Sequence, residues 1–329
     1  MLKSNPIEWL LEENNPSVRY FTLVDILGKP ENDSEVKKTK LEIMQFGVVP
    51  KILSKQNEGG FWEGSNKFYT AKYKGTVWQL IILAELGADG KSEKISKAVE
   101  FVLSNSQDLE SGGFSTNSSA KGVGGLHSYV IPCLTGNLVY SLIRLGYIND
   151  PHVKKGIEYI VKYQRFDDGI TSVPKRWPYD RFVMCFGKHS CHMGVVKSLK
   201  ALAEIPLAMR TSEIKAVIKN GAEYLLAHRI FKKSHDLKKV SKPGWLKLGF
   251  PLMYQDDILE ILGILTKLDY KDVRMNEALE ILISKQDNSG KWKLESTFNG
   301  RFQVDIEQKG KPSKWITLNA LRVLERFYG

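Results

Sequence analysis

One ending recurs along this chain and limits what it can fold into. A short, strongly apolar stripe with helical spacing runs into Leu-Gly or a looser version of it: Leu27-Gly28, Leu86-Gly87, Leu145-Gly146, then Ala203-Glu204, Leu268-Asp269 and Tyr328-Gly329, about 60 residues apart. The stripes themselves are Val77, Leu80, Leu83; Leu138, Leu142, Leu145; Leu259, Leu262, Leu265; and Leu318, Leu321, Leu324. Between them lies a second set of helical segments, over 38–56, 92–107, 151–164, 212–228 and 272–286, with one apolar face and one face of lysine and glutamate.

The second set also finishes to a plan. Gln56 precedes Gly59-Gly60-Phe61-Trp62, Gln107 precedes Gly112-Gly113-Phe114, Gln164 precedes Asp168-Gly169, and Gln286 precedes Ser289-Gly290-Lys291-Trp292. A glycine supplies the positive φ that stops a helix, the glutamine amide can bond the backbone groups this releases, and the aromatic ring can close the apolar seam.

A helical hairpin of this size cannot bury both faces alone, so successive copies must stack. The apolar helices belong inside and the amphipathic ones outside. Such an array is an open solenoid or a closed ring; the repeat count and the weakly polar last inner helix favour closure, so the expectation is one all-α domain spanning residues 1–329, an (α/α)6 toroid of hairpin repeats. Six inner helices at ~10 Å spacing would leave a central cavity about 10 Å wide and, for helices of ~15 residues, about 22 Å deep. No period-2 hairpin pattern recurs to support a strand-based fold.

These repeated Gln-x-x-x-Gly-x-Trp-like turns resemble those of the superfamily of squalene-hopene cyclases and protein prenyltransferase β-subunits, and the resemblance extends over nearly the whole chain. It implies a terpenoid cyclase-like or prenyltransferase-like toroid, with an isoprenoid or other apolar-chain small molecule in its cavity. Zinc enters by the same route, since prenyltransferase β-subunits carry it near the ends of the inner helices. The Cys-His pair here is also similar to that of lanthionine cyclases, although neither ligand pattern matches in spacing. A non-catalytic lipid-binding or scaffold toroid is the alternative to an enzyme.

Charge and composition narrow the partners. The 48 Lys and Arg against 37 Asp and Glu favour anionic surfaces or ligands. No recognised nucleic-acid-reading module accompanies them, so nucleic acid is not expected. No run approaches the roughly 18 apolar residues of a membrane span, and Met1–Trp9 lacks the pattern of a secretion signal. The expectation is a cytoplasmic protein, peripheral at a membrane if at all, whose three cysteines are reduced. Basic residues are densest in one connection holding Lys232, Lys233, Lys238 and Lys239, a candidate contact for a diphosphate or an acidic lipid surface as well as an ordinary solvated stretch.

Three constellations could carry chemistry. Cys185, His189, Cys191 and His192 fall within eight positions at the start of the fourth inner helix, and superposing the repeats brings Cys133 to the same rim. Thiol and imidazole are ligands zinc prefers, and a helix N-terminus lowers a thiol pKa, so these five residues are candidates for a zinc site or a reactive thiol; buried free cysteines are otherwise small hydrophobes. Tyr254-Gln255-Asp256-Asp257 opens the fifth inner helix. By resemblance to the Asp-x-Asp-Asp acid of class II terpene cyclases, Asp256 would be the proton donor and Asp257 its neighbour, with Tyr254 in place of the first aspartate. The same carboxylates could cap the helix or, with Mg, hold a diphosphate. His127, after Gly124-Gly125-Leu126, is a candidate general base or a hydrogen-bonded turn residue. Aromatic residues at the same level, among them Tyr69, Tyr73, Trp78, Trp177 and Trp245, could stabilise a carbocation or simply fill the core.

Overall fold

The computed structural model describes residues 2–169, 172–187 and 189–329. It is mostly helical. The helices are α1 (Ile7–Leu10), α2 (Pro16–Phe21), α3 (Ser34–Gln45), α4 (Val48–Leu53), α5 (Thr76–Glu85), α6 (Glu93–Ser106), α7 (Pro132–Arg144), α8 (Pro151–Tyr163), α9 (Val183–Phe186), α10 (His192–Ala203), α11 (Ser212–Ala227), α12 (Ile258–Lys267), α13 (Asn276–Ser284) and α14 (Lys314–Tyr328). Among the described residues no helix is long and apolar enough to cross a membrane.

The apolar stripes form the inner helices and the amphipathic segments flank them. α5 packs on α7, α7 on α10, α10 on α12 and α12 on α14, while α14 returns to α2 and to the π-helical turn Thr22–Ile26 that extends it. Each of these except α14 also packs on the amphipathic helix that follows it: α3, α6, α8, α11 and α13. The first amphipathic segment is divided, because Gly47 takes a φ of 80° and separates α3 from α4.

The turns join one repeat to the next. The Gln56 amide donates to Gly60 O and to Lys94 O in the first turn of α6; the Gln107 amide likewise donates to Gly112 O and to His152 O in the first turn of α8. The buried indoles of Trp62 and Trp292 donate to Ile52 O and Leu282 O, and the backbone N–H groups of Trp62, Phe114 and Trp292 each donate to a threonine hydroxyl near the start of the next inner helix, Thr76, Thr135 and Thr317. Glycine is required at these turns by space as well as by φ. A Cβ on Gly60 or Gly112 would lie 2.5 or 2.6 Å from the carbonyl oxygen of Lys97 or Lys155 on the following helix. At the last turn the same close neighbour is Ser4: a Cβ on Gly290 would lie 2.2 Å from its carbonyl oxygen, and Lys3 bonds Gln286 through both N and Nζ. The N-terminal segment thus stands where a further repeat would.

Two expectations need correction. The basic connection folds into a small antiparallel hairpin, β1 (Lys232–Lys233) with β2 (Asp236–Val240), so the chain is not purely helical. Among the described residues the axis between the inner helices is also charged, where a wide apolar well was expected. α7 and α10 approach so closely that a Cβ on Gly136 would lie 2.4 Å from the carbonyl carbon of Lys197. Between the inner helices, Lys197 is fully buried and bonds both oxygens of Glu260 at 2.8 and 2.6 Å; Lys200 bridges Glu260 at 2.9 Å and Glu85 at 2.5 Å. Beside this ionic plug a cavity of about 170 Å³ is lined by residues of α5, α7, α10, α12, α14, the π-helical turn and the segment leading into α12, many of them charged.

Candidate active site

The other rim, where the inner helices begin, gathers most of the residues singled out from sequence. His192 is the first residue of α10, and Asp256 ends the irregular segment that leads into α12. Their packing puts His192 Nδ1 2.6 Å from Asp256 Oδ2, and the Trp245 indole stacks on the imidazole at 4.0 Å. Burial works to raise the Asp256 pKa, but His192, Lys197 and Lys242 outweigh it and hold the carboxyl below its ordinary range. The opposite atoms, His192 Nε2 and Asp256 Oδ1, are buried and have no hydrogen-bond partner among the described residues. Such atoms are costly unless a ligand or water meets them.

Asp257 has a structural position. It is the N-cap of α12, with Oδ1 accepting from Glu260 N at 2.9 Å and Oδ2 from Gly249 N at 2.8 Å. Burial nevertheless pushes its pKa up to about 7, against the pull of those two bonds. Next to it, Gln255 donates to Tyr73 Oη, and Tyr73 lies edge-on to Trp78 in a cluster with Tyr254, Phe298 and Phe302.

The three thiols lie near enough for a charge on one to be felt by the others, but their chemistry differs from the expectation. Burial dominates and raises all three pKa values, that of Cys185 to about 11. Cys191 does receive help from the N–H groups of Gly194 and Met193 at the start of α10, but it is too small to offset desolvation. The described residues give no support to zinc at the five proposed ligands. His192 meets Asp256 through Nδ1, and His189 is exposed, accepts from Gly169 N at 3.1 Å and faces Asp168. Among the described residues no three His, Cys, Asp or Glu side chains converge as a metal-holding group.

His127 belongs to a second His–Asp pair, with Nδ1 2.8 Å from Asp108 Oδ2 and its ring stacked on Trp177 at 4.0 Å. Asp108 also accepts from Ser111 N, so this pair organises the turn after α6. The lysines of the hairpin do not converge. Lys232 is paired with Glu277 at 2.6 Å and Lys239 with Asp236 at 3.0 Å, while Lys233 and Lys238 make no ion pair among the described residues.

Sequence reasoning missed Asp108 and the whole plug of Lys197, Lys200, Glu260 and Glu85. Its signal was present: these charges interrupt helices whose other residues are almost entirely apolar.

No family model matches the chain, and no curated protein does. Among solved structures it is similar to the type II terpene cyclase MstE from Scytonema, at 11% identity over 94% of this chain and 87% of that one, with a TM-score of 0.41. A variant of that enzyme in complex with geranylgeranyl dihydroxybenzoate matches at 12% identity over 95% and 87%, TM-score 0.40. A protein from Actinoplanes matches at 15% identity over 88% and 100%, TM-score 0.30.

Proposed function

We propose that this chain is a proton-transfer enzyme of the terpenoid cyclase type, built as a closed (α/α)6 toroid, with Asp256 as the acid and His192 as the group that sets its strength. The observation that carries this reading is the buried pair itself: one edge of Asp256 is bound to His192 and the other, Oδ1, has no partner among the described residues. A carboxyl protonated at Oδ1 could give its proton to an alkene or epoxide carbon or oxygen there, and His192 would stabilise the carboxylate left behind. Lowering the acid's pKa makes it a stronger donor but leaves less of it protonated near neutrality, so the rate should rise toward acid pH. The substrate would lie at the rim against the aromatic cluster of Tyr73, Trp78 and Tyr254, because the ionic plug fills the axis below. An isoprenoid chain follows from the sequence resemblance and from these π faces, which can stabilise a cation.

The test is incubation with linear polyprenes and their terminal epoxides in D2O, with products read by mass spectrometry for cyclisation and one incorporated deuteron. Turnover should fall by about 10²–10⁴ in Asp256→Asn. Cyclisation that persists unchanged in that variant would remove Asp256 from the chemistry. The charged axis also favours a second reading, a toroid that binds without catalysis; it is preferred if no substrate of this class is turned over but one is retained on the protein.

A further inference from the structure

The opposite mouth holds guanidinium groups that the rim chemistry does not use. The cavity there is lined by Arg144 at the end of α7, Lys200 on α10, Lys267 at the end of α12 and Arg322 and Arg326 on α14, facing Asp25, Glu85, Glu204, Glu260 and Asp257. Most of the carboxylates are already engaged. Glu85 and Glu260 hold Lys200, Glu260 also holds Lys197, Glu204 holds Lys267 at 2.6 Å, and Asp25 pairs with Arg322. Among the described residues Arg144 reaches a carboxylate oxygen only at 3.9 Å, on Glu204, and its Nε is buried without a partner, as is that of Arg322. Arg326 has no ion pair among the described residues, and burial together with neighbouring Arg322 lowers its pKa.

The two guanidinium groups are held in place: Arg144 and Arg322 lie over the Phe21 ring at 5.1 and 4.9 Å. Some of this positive charge offsets the carbonyl ends of α7, α12 and α14, as cations in a last helical turn do. That role does not need three arginines around one hollow, nor buried Nε atoms left unbonded. Planar guanidinium forks match the oxygens of carboxylate and phosphate, and a cavity of about 170 Å³ has room for a small oxyanion.

We propose that this mouth binds a small oxyanion of the phosphate class, gripped by Arg144, Arg322 and Arg326 with Lys267 beside them. The site uses neither His192 nor Asp256, and it stands whether or not the rim is catalytic. The same fork chemistry serves a free oxyanion or the terminal group of a phosphate ester.

Titration calorimetry on the full chain at constant ionic strength, with chloride making up the balance, tests this using inorganic phosphate, inorganic diphosphate and methyl phosphate. One saturable site per chain is expected. Arg326→Gln and Arg144→Gln should each weaken binding about tenfold or more, whereas Glu204→Gln, which releases Lys267 and removes a competing acceptor, should strengthen it several-fold. Lys238→Gln on the hairpin should change nothing. Methyl phosphate binding as tightly as phosphate would point to an esterified ligand, and its exclusion to the free ion. Absence of saturable binding by any of the three anions to the native protein in the low-millimolar range, or equal binding by native protein and Arg326→Gln, would overturn the proposal. If Arg144→Gln does not fold, Arg326→Gln, at a partly buried position in the last turn of the last helix, decides the matter.

Discussion

Replacing Lys197 by methionine tests whether the axis is closed by a true buried ion network. The side chain is fully buried, and its ammonium makes three bonds: two to Glu260 and one of 2.7 Å to Gln255 O. Methionine matches its length but leaves Glu260 with Lys200 alone and Gln255 O without this donor. Breaking a buried pair from one side costs about 3–5 kcal/mol, far more than the pair contributes relative to an apolar replacement. With an unfolding entropy of roughly 2.1 cal/mol/K per residue over 329 residues, that corresponds to a fall in Tm of about 4–7 °C. Glu260→Leu alone should cost a similar amount. The double variant should regain most of it, because both charges leave together and Lys200 keeps Glu85 at 2.5 Å. Thermal and urea unfolding of the four proteins supplies the cycle. If Lys197→Met shifts stability by under about 0.5 kcal/mol, or if the double variant loses the sum of the two singles, the plug is solvated or uncoupled and the reasoning fails.

Three further outcomes follow from the same coordinates. Gly136→Ala gains about 1 kcal/mol of helix propensity but sets its methyl 2.4 Å from the Lys197 backbone, which cannot rotate away; a net loss of about 2 kcal/mol or more is expected in urea unfolding, and a more stable variant would show that α7 and α10 are further apart. Asp257 has a folded pKa of about 7 against an unfolded value near 3.9, so the folded state binds the extra proton between them. Its contribution is therefore full below about pH 4 and is lost as pH rises to about 7. Asp257→Asn should flatten that part of the pH–stability curve, and an unchanged slope would place the titration elsewhere. Thiol-reactive reagents should label the folded protein slowly at neutral pH, since burial keeps all three cysteines protonated; rapid labelling of Cys133, at 8% exposure, would contradict its burial.

Much of the frame was readable in advance because it is local. The Gln56 and Gln107 amides, the Trp62 and Trp292 rings and the turn glycines act within one hairpin or on the next, so their spacing carries the information. The candidate site was readable in outline: His192 and Asp256 were each named, for different roles, but not as a pair. They are 64 positions apart, and no repeat pattern links them. Short separation along the chain grouped His189 with the other candidate ligands, and in the fold it faces Asp168.

The sequence alone determined that hairpins of about 60 residues would stack with apolar helices inside, since the periodicity of the stripes and the chemistry of the turns leave little else. What fills the space between those helices was decided only in three dimensions. A helix pattern reports how many charges a face carries but not whether charges from two other helices meet them, and it was the meeting of Lys197, Lys200, Glu85 and Glu260 that made burial of those groups tolerable. The same convergence left a charged hollow where an apolar one was expected.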